Sequence, residues 1–187
     1  HLEQTHKIDA IILDKTGTVT KGKPELTDVL TEENETVFLR LIGAAEKNSE
    51  HPLAEAIVAG IQAKNIELPD AESFEAIPGF GIKAVVEGKQ MLIGTRRLME
   101  NYEVDAKHAY RSMARLEEAG KTAMLVAIDN RYVGMVAVAD TIKETSKAAV
   151  SRLKEMGIQV IMITGDNERT AKAIAAQVGI DHVRAEV

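Results

Sequence analysis

Two short apolar segments, far apart in the chain, end in similar polar runs. Ile8 to Leu13 leads into Asp14-Lys15-Thr16-Gly17-Thr18, and Gln159 to Ile163 leads into Thr164-Gly165-Asp166-Asn167. Each apolar segment has the length and composition of a buried strand. A helical stretch follows the second, with Ala171, Ile174, Ala175 and Val178 along one face. Ahead of it, Thr141 and Glu144 have the spacing of a capping box opening a helix through Met156, with Gly157 as its stop. A strand, helix, strand, helix series implies a parallel sheet with helices on its faces, where ligands sit beyond the carboxyl ends of the strands. Both polar runs lie at those ends.

The intervening stretch has a different pattern. Two helices are expected at about Glu33 to Lys47 and Pro52 to Lys64, the second with Pro at its first position and Leu53, Ile57 and Ile61 on one stripe. Strands follow in hairpin pairs: Gly81 to Val86 turns at Glu87-Gly88 into Lys89 to Ile93, and Ala123 to Ile128 turns at Asp129-Asn130 into Arg131 to Ala139. These favour an antiparallel sheet carrying helices. The expected organisation is an α/β domain in two pieces, 1–22 and 138–187, interrupted by an inserted α+β domain at 23–137. The hinges fall near Gly22-Lys23-Pro24 and Val138 to Asp140.

Composition excludes several kinds of chemistry. Lys and Arg number 23 against 29 Asp and Glu, a net charge of −6 that argues against a nucleic-acid partner. The absence of Cys removes disulfides, thiolate metal sites and Cys nucleophiles, and the five His show no metal-ligand spacing. The seven Met are scattered and suit a core. No apolar run approaches the roughly 18 residues that cross a bilayer, and no signal peptide opens the chain, so the chain as given is expected to be soluble. Gly120-Lys121-Thr122 resembles the end of a phosphate loop, but Arg115 stands where the upstream glycine is required; a strand start fits better.

Asp14, at the end of the first apolar segment, is a candidate for covalent chemistry. A carboxylate at a strand end, with hydroxyls nearby and a glycine permitting close approach, suits attack on a phosphoryl group while sharing Mg²⁺ with it. An Asp opening an ordinary turn is the alternative for a lone residue. Thr164-Gly165-Asp166-Asn167 offers backbone N–H groups at a helix N-terminus and a hydroxyl, natural phosphate ligands, although an ordinary N-cap loop has the same composition. In the inserted segment stand Glu46, Ser49-Glu50-His51-Pro52 and Gly79-Phe80-Gly81-Ile82. His51 before a helix-starting Pro could be a simple cap, and the Pro-Gly-Phe-Gly-Ile run could be a turn leading into a strand.

Asp14-Lys15-Thr16-Gly17-Thr18 resembles the phosphorylation motif of the P-type ATPases, and Thr164-Gly165-Asp166-Asn167 resembles their TGDN motif. The Ser-Glu-His-Pro string and the Gly-x-Gly loop resemble the nucleotide pocket of the heavy-metal (type IB) class, most like its copper-translocating members. The resemblance runs from His6-Lys7-Ile8-Asp9 to Arg184-Ala185-Glu186-Val187. It implies an incomplete haloacid-dehalogenase-like phosphorylation domain with a nucleotide domain inserted, on the cytoplasmic side of an integral membrane pump. By that resemblance, ATP and Mg²⁺ are the cofactors. Asp14 accepts the phosphoryl group, with Lys15 and Thr16 beside it and Mg²⁺ shared by Asp14 and Thr16. Thr164 and Gly165 hold the phosphate, while Asp166 acts in closing the nucleotide site. Glu46 bonds the adenine, His51 orients it, Ser49, Glu50 and Ile82 belong to the same pocket, and Gly79 and Gly81 admit the nucleotide. Thr95 stands where the class often has Asn. Implied partners are transmembrane and actuator domains and a metal chaperone or metal-binding domain.

Haloacid-dehalogenase-like phosphatases carry a second Asp two positions after the nucleophile; here that position is Thr16. Without this general base the aspartyl phosphate should persist, as a pump requires. The family's GDGxND string and a further phosphate-contacting Lys motif do not occur here, so this chain alone is expected to hydrolyse ATP very slowly or not at all. The alternatives are a noncatalytic nucleotide-binding module and a soluble phosphatase.

Overall fold

The computed structural model describes residues 8–187, and the His6-Lys7 start of the resemblance lies outside them. In chain order the elements are β1 (Ala10–Asp14), a turn over Lys15–Val19, β2 (Glu25–Thr31), α1 (Glu35–Glu46), α2 (Pro52–Gln62), β3 (Ser73–Ile77), β4 (Gly81–Val86) and β5 (Lys89–Gly94). Then come α3 (Arg96–Asn101), α4 (Tyr110–Glu118), β6 (Thr122–Ile128), β7 (Arg131–Ala139), α5 (Ser146–Glu155), β8 (Gln159–Ile163), α6 (Glu168–Val178) and β9 (His182–Arg184). The chain divides into two units. One takes residues 8–23, Glu118–Gly120 and Asp140–Val187; the other takes Pro24–Glu117 and Lys121–Ala139.

The first unit is a parallel sheet in the order β1-β8-β9. Register places Leu13 beside Met162 and Met162 beside Val183, all on one face. There Val160 and Met162 pack against Val150 of α5 and Ala171, Ile174, Ala175 and Val178 of α6, the stripe read from the sequence. The first strand is not buried as expected. Ile8 and Ile12 are 58% and 62% exposed, because the packed core forms on the opposite face and β1 has a sheet neighbour on one edge only among the described residues.

The capping box at Thr141 and Glu144 does not form. α5 begins at Ser146 after Thr145, which makes no side-chain cap bond. Thr141 and Ile142 instead pair with the outgoing chain: Lys21 N–H donates to Thr141 O at 2.9 Å, and Thr20 bridges Ile142. Strand-like pairing satisfies main-chain groups on both segments, which the box would leave open. The Gly157 stop does form, with φ +78; Gly157 N–H donates to Lys154 O and Ile158 N–H to Leu153 O.

The second unit is a six-stranded antiparallel sheet in the order β2-β7-β6-β5-β4-β3. Both expected hairpins are present. Their turns, Glu87-Gly88 and Asp129-Asn130, have positive φ at both residues, the geometry that matches strand twist. One face packs Ile82, Val86, Ile93 and Val136 against Phe38, Ile42, Ile57 and Ile61 of α1 and α2. The other packs Leu125 and Met135 against Leu98, Met99 and Met113 of α3 and α4. Burial on two faces explains the unbroken apolar run of β6 and β7. Among the described residues no helix is long and apolar enough to cross a membrane.

Candidate active site

In the first unit, Asp14 is the last residue of β1 and pairs in register with Ile163, the last residue of β8. The two polar runs therefore start side by side at the carboxyl ends of neighbouring parallel strands. After Asp14 the chain reverses through Thr16 (φ −73, ψ 121) and Gly17 (φ 79, ψ −9), the angles of a type II turn, whose third position requires positive φ. Gly17 is thus fixed by backbone geometry. The turn leaves Asp14 and Thr16 exposed and sends Lys15 inward, where its Nζ lies 2.5 Å from Asp166 Oδ2. On the other run, Thr164 is buried and its Oγ1 accepts from Asp166 N–H at 3.1 Å. Asn167 caps α6, its Oδ1 accepting from Thr170 N–H at 3.0 Å. The cap and the candidate phosphate loop are consecutive residues of one turn.

The second unit carries the other candidates. Glu46 ends α1 and is 5% exposed; burial pushes its carboxyl up to about 7. The chain then passes through Ser49, whose Oγ accepts from His51 N–H at 3.3 Å. His51 is a helix cap: its Nδ1 accepts from Leu53 N–H at 3.2 Å. That bond assigns the ring proton to Nε2. Glu50 and Gly79 are exposed, while Ile82 sits in the core beside α1 and α2, which leaves only its main chain for a ligand.

Gly81 is required by packing. It faces Gly94 across β4 and β5, has φ +142, and a Cβ there would come 2.1 Å from Ile93 O. Gly94 is its counterpart: a Cβ would lie 2.0 Å from Phe80 O. Thr95 caps α3 through its Oγ1, which accepts from Leu98 N–H at 3.2 Å. A further pair, Thr20 and Asp140, carries no motif: the sequence places Asp140 only at a hinge, and Thr20 is the first Thr after the Asp14 string.

The donors near Asp14 fit Mg²⁺ on one condition. The exposed Asp14 carboxylate and the hydroxyl and carbonyl oxygens of Thr16 are hard oxygen ligands, yet no group of three His, Cys, Asp or Glu side chains gathers among the described residues. Such a set suits a cation that brings phosphate oxygens and water with it.

A family model described as haloacid dehalogenase-like hydrolase matches residues 8–187. The copper-exporting P-type ATPase of Bacillus subtilis is 54% identical over 189 residues, covering 100% of this chain and 24% of that protein. The protein of the same name from Staphylococcus saprophyticus is 52% identical over 187 residues, covering 100% and 23%. The chain thus spans about a quarter of the length of these curated relatives. A crystal structure of a zinc-transporting PIB-type ATPase in its E2·Pi state matches with a TM-score of 0.70 at 34% identity, over 97% of this chain and 29% of that one. The family model matches all the described residues, among them the parallel sheet with Asp14 at the end of β1: the chain belongs to the haloacid dehalogenase-like hydrolases.

Proposed function

We propose that this chain is the ATP-binding and phosphorylation region of a P-type ATPase that exports heavy-metal ions, most consistent with Cu⁺, across a membrane whose cytoplasmic side it faces. The observation that carries the reading is the pairing of Asp14 with the end of β8. It sets a free carboxylate beside the Thr164-Gly165-Asp166 turn, while Lys15 is engaged with Asp166. The names of the B. subtilis and S. saprophyticus relatives support copper as cargo.

In this mechanism the second unit holds adenine through Glu46, His51 and the Gly79-Phe80-Gly81 backbone. The Nε2–H of His51 and the protonatable carboxyl of Glu46 are the polar groups offered to the base. An Asp14 carboxylate oxygen attacks the γ-phosphorus of ATP, its new O–P bond forming as the bond to the β-phosphate oxygen breaks. ADP leaves with that electron pair. Asp14 and Thr16 would hold Mg²⁺, which supplies charge neutralisation on the transferring phosphoryl group. Thr164 and the Gly165 main chain receive the phosphoryl oxygens. Thr16 supplies no general base, so water attacks the aspartyl phosphate slowly, leaving time for transmembrane and actuator domains to respond. A metal chaperone or metal-binding domain would deliver the cargo. The chain by itself is poorly active.

Prolonged incubation with γ-labelled ATP and Mg²⁺ tests this. The expected product is an acid-stable, hydroxylamine-sensitive label that Asp14→Asn abolishes. Rapid release of phosphate from small esters would point to a soluble phosphatase, and nucleotide binding without any label would point to a noncatalytic module.

A further inference from the structure

The turn that carries Asp14 is tied to a carboxylate 120 residues beyond Thr20. Thr20 is wholly buried, and its Oγ1 donates to Asp140 Oδ2 at 2.6 Å. A hydroxyl has one proton, and the short charge-assisted bond takes it. The same oxygen lies 3.2 Å from Lys15 O and accepts from Gly17 N–H at 3.4 Å. Lys15 O accepts from Thr20 N–H at 2.9 Å. Asp140 is itself held: Oδ2 accepts from Gly22 N–H at 2.9 Å and Oδ1 from Lys23 N–H at 3.1 Å. Three donors converge on one side chain. The hydroxyl of Thr20 thereby links that anchored carboxylate to Gly17, the positive-φ residue of the type II turn.

We propose that Asp140, acting through Thr20, is a positioning residue for the phosphoryl-accepting turn, fixing the orientation in which Asp14 and Thr16 meet the phosphoryl group. The proposal rests on Asp14 being the acceptor. Its physical basis is the narrow geometry of in-line attack, in which a misplacement of about 1 Å costs on the order of 10²-fold. Lys143 supports the turn from the same strand-like segment, its Nζ donating to Gly17 O at 3.0 Å and its N–H to Val19 O at 3.1 Å. Those bonds hold the carbonyl side of the turn, whereas the hydroxyl of Thr20 holds the Gly17 N–H.

The test uses the whole chain with Mg²⁺ and beryllium fluoride, an inorganic acyl-phosphate mimic, with affinity read by fluorine NMR and the turn by the amide resonances of Gly17 and Thr18. Thr20→Val keeps the volume and removes the hydroxyl; Asp140→Ala removes the acceptor; Thr20→Ser restores the hydroxyl. Both removals should weaken beryllium fluoride about tenfold and shift the Gly17 amide, with the double variant no worse than either single one. Thr20→Ser should recover most of the affinity. Denaturant unfolding curves check that each variant is folded. Should Asp140→Ala not fold, Asp140→Asn retains an oxygen for Thr20 and Gly22 but turns an amide group towards Lys23 N–H, and an intermediate loss is expected. Folded variants that bind as wild type does, losses that add, or a Thr20→Ser loss equal to that of Thr20→Val would overturn the proposal. A wild-type chain that takes no beryllium fluoride removes the acceptor reading and this proposal with it. Wild-type binding with indifferent variants removes the proposal alone.

Discussion

Lys15 Nζ lies 2.5 Å from Asp166 Oδ2, with the two side chains 9% and 15% exposed, and that oxygen takes no hydrogen bond from any other group among the described residues. The two polar runs at the strand ends are therefore joined by one ion pair. Removing one partner strands the other charge largely out of water, whereas removing both does not. Lys15→Met should destabilise the chain by about 2 kcal/mol in urea unfolding. The double variant Lys15→Met, Asp166→Leu should recover most of that loss. If Lys15→Met unfolds at the wild-type urea midpoint, the pair contributes nothing to the fold.

Glu46 makes stability fall as pH rises. Its folded carboxyl is pushed up to about 7 by burial, above its ordinary value of 4.5. Between those values the folded state binds more protons than the unfolded state, so the unfolding free energy drops across that window and is level above it. At about 1.4 kcal/mol per pKa unit the full difference is about 3 kcal/mol. Glu46→Gln should flatten this slope and leave the chain more stable than wild type at about pH 8. Urea midpoints across the pH range check it; parallel curves for the two proteins would show that Glu46 is ionised at no cost.

The hairpins were legible because Glu87-Gly88 and Asp129-Asn130 are turn residues between apolar runs, and the α6 stripe because Ala171, Ile174, Ala175 and Val178 keep helical spacing. Other elements carried no such signal. β2 reads Glu-Leu-Thr-Asp-Val-Leu-Thr, with polar residues breaking the alternation, and its pairing with β7 comes from far along the chain. The exposure of Ile12 was hidden for a related reason. An apolar strand has the same sequence whether one face or two are covered, and only the layout of α5 and α6 decides. In the candidate site, the Asp14 and Thr164 strings were visible as motifs. The Thr20–Asp140 link depends on two segments meeting across the sequence gap, which no local pattern encodes.

Gly79 and Gly81 should behave differently when substituted. Gly81→Ala drives a Cβ to 2.1 Å from Ile93 O, a backbone atom, and should cost about 3 kcal/mol or prevent folding. Gly79 has φ +79 but nothing within 4 Å of an added Cβ, so Gly79→Ala should cost only about 1 kcal/mol. That makes Gly79→Ala the useful probe of the bare backbone wall. Adenine-nucleotide affinity, measured by calorimetry on this folded variant, should fall several-fold; unchanged affinity would remove Gly79 from the pocket.

His51 has a structural role and a proposed binding role, and one substitution separates them. Its Nδ1 caps α2 by accepting from Leu53 N–H, which leaves Nε2–H as the group available to a ligand. His51→Ala removes both functions and should cost about 1 kcal/mol of stability along with nucleotide affinity. His51→Asn replaces the cap with a residue that accepts the same main-chain hydrogen bond, but it lacks the ring and the Nε2–H. This variant should unfold at the wild-type midpoint and bind adenine nucleotide about tenfold more weakly. Full affinity in His51→Asn would show that the imidazole serves the helix alone, and the base would then have to be oriented by Glu46 and the main chain near Gly79.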